Sequence, residues 1–127
     1  MITLDTNVLV RVFMDDATSA DQVQAARDLV RQYKQVFVPQ IVQVELAWVL
    51  ISAFKLSKKK LISILETLKD HPCFILQSPH IFSEALQGYY NNKCDFSDLI
   101  ILLESRLART NLYTFDKKLI AAGANQC

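Results

Sequence analysis

Glycine and proline are scarce in this chain, with two and three among 127 residues. An all-β fold needs tight turns at short intervals, so that class is excluded and helix-rich architectures remain. Cys73, Cys94 and Cys127 are odd in number, widely spaced and form no CxxC pair. No disulfide framework or thiolate zinc site follows from that pattern, and a reducing cytosol suits it. His71 and His80 do not recur at a metal-ligand spacing and read as loop or helix-start residues beside Pro72 and Pro79. Charge of one sign is also missing: the formal net charge is +1, too small for strong long-range attraction to nucleic acid. The apolar run over residues 41–54 is broken by Gln43, Glu45 and Ser52 and is too short to span a bilayer. No signal peptide is visible after Met1, so a cytoplasmic protein with no membrane association is expected.

What is present is apolar sequence, 51% of the chain, with 21% charged residues. One compact domain over residues 1–127 with a real core is the expectation. Residues 2–4 read as a first strand ending at Asp5-Thr6-Asn7. A helix through Val8, Leu9, Val12 and Phe13 follows. Thr18 and Asp21 have the spacing of a capping box for a second helix. Val36-Phe37-Val38 reads as a strand, residues 41–55 as a helix, and Ser57 as the cap of a helix over 58–69. A strand over 73–76 is followed by Ser78-Pro79, a cap and first-turn proline, then a helix to about Tyr90. Asp95 opens a long helix to about Arg109. Residues 112–115 form a strand, and Asp116 starts a last helix ending near Gly123. Strands alternating with helices predict an α/β fold, mainly a parallel twisted sheet with helices on both faces.

In such sheets ligands gather at the carboxyl ends of the strands. Asp5 and Asp116 occupy two such ends, although an Asp there also serves as an ordinary helix cap. Glu45 has apolar helical neighbours in Ile41, Trp48 and Val49, while Gln40, Gln43 and Ala47 lie nearly opposite. The expectation is therefore that Glu45 is not on the solvated face. A cation, a proton, or a buried Arg or Lys would have to compensate it. Asp98 stands three residues after Asp95, where both also suit the positive end of a helix dipole. Its helix continues as Leu99-Ile-Ile-Leu-Leu103, apolar enough to hold the first turn against the protein body. Converging carboxylates repel unless a divalent cation is bound, and oxygen-only ligands indicate Mg²⁺, with Mn²⁺ an alternative.

Asp5-Thr6-Asn7 after an apolar strand, Val44-Glu45-Leu46, Asp95-Phe96-Ser97-Asp98 and Leu112-Tyr-Thr-Phe-Asp116 with Lys117 occur in an order that resembles PIN domains. The similarity is strongest to the VapC-type toxins of bacterial toxin–antitoxin systems and runs from Ile2 to about Ala121. The sequence departs from the family in the bulky Ile100 and Ile101. The resemblance implies a single PIN-like domain and a metal-dependent endoribonuclease. Asp5, Glu45, Asp98 and Asp116 would be its catalytic and metal-binding residues. It further implies in-line attack leaving a 3′-hydroxyl and a 5′-phosphate, a homodimer, and a small antitoxin covering the site. Thr6, Asn7 and Thr114 are the expected supports of the acids, with Asn7 also a candidate cap of the first helix. Lys117 and Lys118 are better candidates for gripping RNA than Lys55 and Lys58-Lys59-Lys60, since a lysine run is commonly a solvated face. Tyr89 and Tyr90 are candidates for base contact. The alternatives are a non-catalytic RNA-binding scaffold of the same fold and a phosphoryl-transfer domain using Asp5 as nucleophile. The second would want an acid where Asn7 stands.

Overall fold

A computed structural model describes residues 1–127. Two compact units divide it, Met1–Gln77 and Ser78–Cys127. In the first, short apolar stretches become three parallel strands: β1 (Ile2–Thr3), β2 (Val36–Val38) and β3 (Phe74–Leu76), paired in the order β1-β2-β3. Ile2 lies opposite Val36, and Val36 opposite Phe74. Parallel neighbours require long crossovers, and helices supply them. α1 (Thr6–Phe13) and α2 (Ala20–Tyr33) join β1 to β2, while α3 (Gln40–Ser52) and α4 (Lys58–Asp70) join β2 to β3. Leu9, Val36, Leu46, Leu50, Leu65 and Leu68 are wholly enclosed in the core.

The local signals act mostly as expected. The Ser57 hydroxyl accepts from the Lys60 N–H at 3.2 Å and starts α4 one residue later. The Thr18–Asp21 capping box does not form. Asp16 takes the Thr18 N–H at 3.1 Å and its hydroxyl at 2.7 Å, winding Ala17–Ser19 into a 3-10 turn ahead of α2. Those hydrogen bonds hold the Asp16 carboxyl below its ordinary pKa. α3 stops at Ser52, short of the expected residue 55, and Lys55 turns with a left-handed φ of 54°.

Gln43 is the polar exception in the core, fully buried on α3. Its side-chain N–H groups donate to the Val38 carbonyl at 3.0 Å and the Gln77 carbonyl at 2.9 Å. These lie at the carboxyl ends of β2 and β3; the Val38 carbonyl also takes the Gln77 N–H at 3.0 Å, so it is the Gln77 carbonyl, past the end of the ladder, that needs this donor. Gln43→Ala is therefore expected to lower unfolding free energy by about 2–4 kcal/mol, from the stranded Gln77 carbonyl plus a cavity. Urea denaturation monitored by circular dichroism reads this; a loss below about 0.5 kcal/mol would show the clamp to be dispensable.

The second unit has α5 (Pro79–Asn91), α6 (Phe96–Leu107), β4 (Tyr113–Thr114), α7 (Lys117–Ala121) and β5 (Asn125–Gln126). α5 and α6 pack closely because Gly88 lacks a side chain: a Cβ there would sit 3.2 Å from Leu99 Cδ2. Phe82 and Phe96 meet edge to face at 5.5 Å. Pro79 opens α5, but Ser78 is left-handed, with φ 49°, and its side chain makes no cap bond. β4 and β5 form a parallel pair, with Tyr113 opposite Asn125. β5 escaped the sequence because Asn125 and Gln126 carry no apolar alternation; backbone bonding alone defines it. Tyr89 is buried, its ring centroid 6.2 Å from that of Phe96, so the expected base contact does not hold for it; Tyr90 is exposed.

Candidate active site

In the first unit, Asp5 follows β1 with one residue between and caps α1, its Oδ1 accepting from the Val8 N–H at 3.0 Å. Asn7 is inside the helix and is not the cap. The buried Thr6 hydroxyl donates to Glu45 Oε1 at 3.3 Å, bringing the middle of α3 to the start of α1. Asp5 and Glu45 thus flank one threonine, though they stand 40 positions apart in the sequence.

The expected burial of Glu45 is overturned. Glu45 is exposed, together with Ile41 and Trp48 at 64% and 68% exposure. The buried face of α3 is instead Val42, Gln43, Leu46, Ala47 and Leu50. The helix is apolar on nearly every side, so hydropathy could not choose which stripe faces inward. The sheet's need for donors selected the Gln43 side.

The second unit repeats the junction seen at Asp5. Asp116 follows β4 with one residue between and caps α7, Oδ1 accepting from the Lys118 N–H at 2.9 Å. Thr114 accepts from the Asp116 N–H at 3.0 Å through its hydroxyl, fixing the turn. Asp95 precedes α6 and Asp98 lies in its first turn, where the dipole favours an anion. Asp98 is half-buried, and its carboxyl is pushed above the usual range. Burial is the largest cause, followed by repulsion from Asp95 and Asp116; the Asp95 backbone works in the opposite sense. Burial likewise raises the Cys94 thiol, with the same three acids adding to it. Asp95, noticed in the sequence only as a helix opener, is therefore part of this acidic group; its signal was the three-residue spacing to Asp98. The bulky residues after Asp98 separate by face, Ile100 buried and Ile101 exposed.

Three of the acids share a useful property. Asp5, Glu45 and Asp116 each commit one oxygen to a structural hydrogen bond and keep the other unbonded. Asp98 is bonded to no other side chain, and only the Asp95 backbone N–H favours its charged form. Carboxylates positioned yet only half used form a donor set suited to a hard divalent cation. In neither unit, however, do three or more Asp, Glu, His or Cys side chains stand close enough together to hold an ion.

The parallel α/β architecture places carboxylates at strand–helix junctions. The chain belongs to the PIN-domain family: the PIN domain model matches residues 2–125. PIN domains are typically metal-dependent nucleases, and PIN nucleases act on RNA. No curated protein matches the chain. No helix is long and apolar enough to cross a membrane.

Proposed function

We propose that the chain, as one PIN-like domain over residues 1–127, is a Mg²⁺-dependent endoribonuclease in which Asp5, Glu45, Asp98 and Asp116 act as the catalytic and metal-binding set. The observation that carries this reading is Asp98: half-buried, bonded to no other side chain, and crowded by Asp95 and Asp116. A structure that holds carboxylates against their own repulsion has a use for a cation there. Asp5 and Asp98 would be its principal holders, with Mn²⁺ an acceptable substitute and Asp116 completing the set. When bound, the ion supplies charge stabilisation at the scissile phosphate and makes water more acidic.

The remaining roles belong to the chain itself. Glu45 accepts a proton from, or orients, the attacking water through the oxygen that Thr6 leaves unbonded. Thr6 and Thr114 keep Glu45 and Asp116 in place, and Asn7 lies at the same helix start. Lys117 and Lys118, exposed immediately after Asp116, attract the RNA backbone. Exposed Ile41 and Trp48 on either side of Glu45 along α3 support a protein partner over this face. A small antitoxin covering the acids, and a homodimer of the toxin, suit that surface.

The deciding experiment is incubation of the purified protein with a total RNA pool under Mg²⁺, Mn²⁺ or EDTA. Cleavage products ending in 5′-phosphate are expected with either metal and none with EDTA. RNA binding without cleavage under every metal would instead establish a non-catalytic RNA-binding scaffold.

A further inference from the structure

A cavity of about 400 Å³ opens between α1 and α2, within the size range of sites for small ligands. Asp5, Asn7, Arg11 and Gln22 give it polar groups, and Ala25 and Leu29 lie on its apolar wall. Arg11 is the unusual member. The other two arginines of this helical pair are neutralised, Arg27 by Asp15 at 3.0 Å and Arg31 by Asp28 at 2.7 Å. Arg11 closes no ion pair, and Asp16 feels its charge only at longer range. One Nη1 donor bonds the Asn7 carbonyl at 3.0 Å, and its Nε is sealed from solvent without a partner. A guanidinium has five N–H donors in a planar fork suited to phosphate. Most of that capacity is unspent.

The electrostatics narrow the occupant. An acidic site repels the polyanion it cuts, and a net charge of +1 offers no general remedy. A cation in the same cavity as Asp5 gives that remedy locally. The Asn7 and Gln22 amides carry both donors and acceptors, as a base edge requires, beside an apolar wall for its face.

We propose that this cavity is a subsite for one unpaired ribonucleotide next to the scissile bond. Arg11 receives its backbone phosphate, Ala25 and Leu29 receive the face of the base, and Asn7 and Gln22 read the base edge. This rests on the RNA-cleavage reading, but its test does not depend on cleavage.

Binding of a fluorescein-labelled, mixed-sequence single-stranded RNA to the full chain is followed by anisotropy in EDTA across a salt series. Arg11→Gln is expected to weaken binding about tenfold and to lower the slope of log affinity against log salt by about 0.7, one single-strand phosphate contact. Arg11→Lys keeps the parent slope. Ala25→Phe puts an aromatic ring where the base face lies and changes affinity several-fold at unchanged slope. Thermal midpoints near the parent's identify folded variants, and Ala25→Phe carries the test should Arg11→Gln not fold. Parent-like affinity in a folded Arg11→Gln or Ala25→Phe overturns the subsite while leaving the ribonuclease reading intact. A parent protein that binds no RNA in EDTA overturns the subsite, while absence of cleavage under Mg²⁺ and Mn²⁺ separately overturns the ribonuclease reading.

Discussion

Asp98→Asn is expected to reduce Mg²⁺-dependent RNA cleavage by about a thousand-fold, the scale on which one preorganised electrostatic group acts, while raising the thermal midpoint in EDTA. The two effects have one origin. Burial, Asp95 and Asp116 raise the Asp98 carboxyl above the usual carboxylate range. A group whose pKa is higher folded than unfolded binds its proton more readily in the native state. Its favourable contribution is complete below the unfolded pKa and disappears as pH rises through the folded one. At neutral pH the ionised carboxylate is a net cost to the fold. The uncharged amide removes that cost, so the gain from Asp98→Asn should be present at neutral pH and fade on acidification towards the unfolded pKa. Mg²⁺ should raise the parent midpoint, since an ion bound only by the native state stabilises it, and should raise the variant's less. Scanning calorimetry in EDTA and in Mg²⁺ at several pH values measures all of this. A variant with parent activity, or one whose midpoint falls at neutral pH, would remove Asp98 from the site.

The residues readable from sequence were those whose role is local. β1, β2 and β3 are short apolar runs, and the Ser57 cap needs only its own following turn. Asp5 and Asp116 could be placed because a carboxylate directly after an apolar run lies at a strand end whatever the tertiary fold. Glu45 required knowing which side of α3 faces inward, and a helix apolar nearly all round does not encode that in its periodicity. The answer was Gln43, whose burial depends on carbonyls contributed by β2 and by the residue after β3. Asp16 shows a smaller ambiguity: by taking the Thr18 N–H and hydroxyl it caps a 3-10 turn and leaves α2 to begin after Ser19. The Arg11 cavity was invisible for a different reason. An arginine in a last turn ordinarily complements the helix dipole, and only the geometry shows how few of its donors that task occupies.

Asp5 supports two tasks, and two substitutions separate them. Its Oδ1 caps α1 through the Val8 N–H, while the other oxygen is unbonded. Asn caps helices about as well as Asp, because the amide oxygen accepts the same bond, but it carries no charge. Asp5→Asn should therefore keep parent stability and lose about a thousand-fold in cleavage. Asp5→Ala should lose as much activity and, in addition, about 1 kcal/mol of unfolding free energy from the missing cap. Paired urea titrations and cleavage assays distinguish the outcomes. Equal stability losses in both variants would mean that the negative charge at the head of α1, rather than the cap bond, stabilises the helix. Full cleavage by Asp5→Asn would leave Asp5 a capping residue alone, and the ion would need its ligands among the remaining acids.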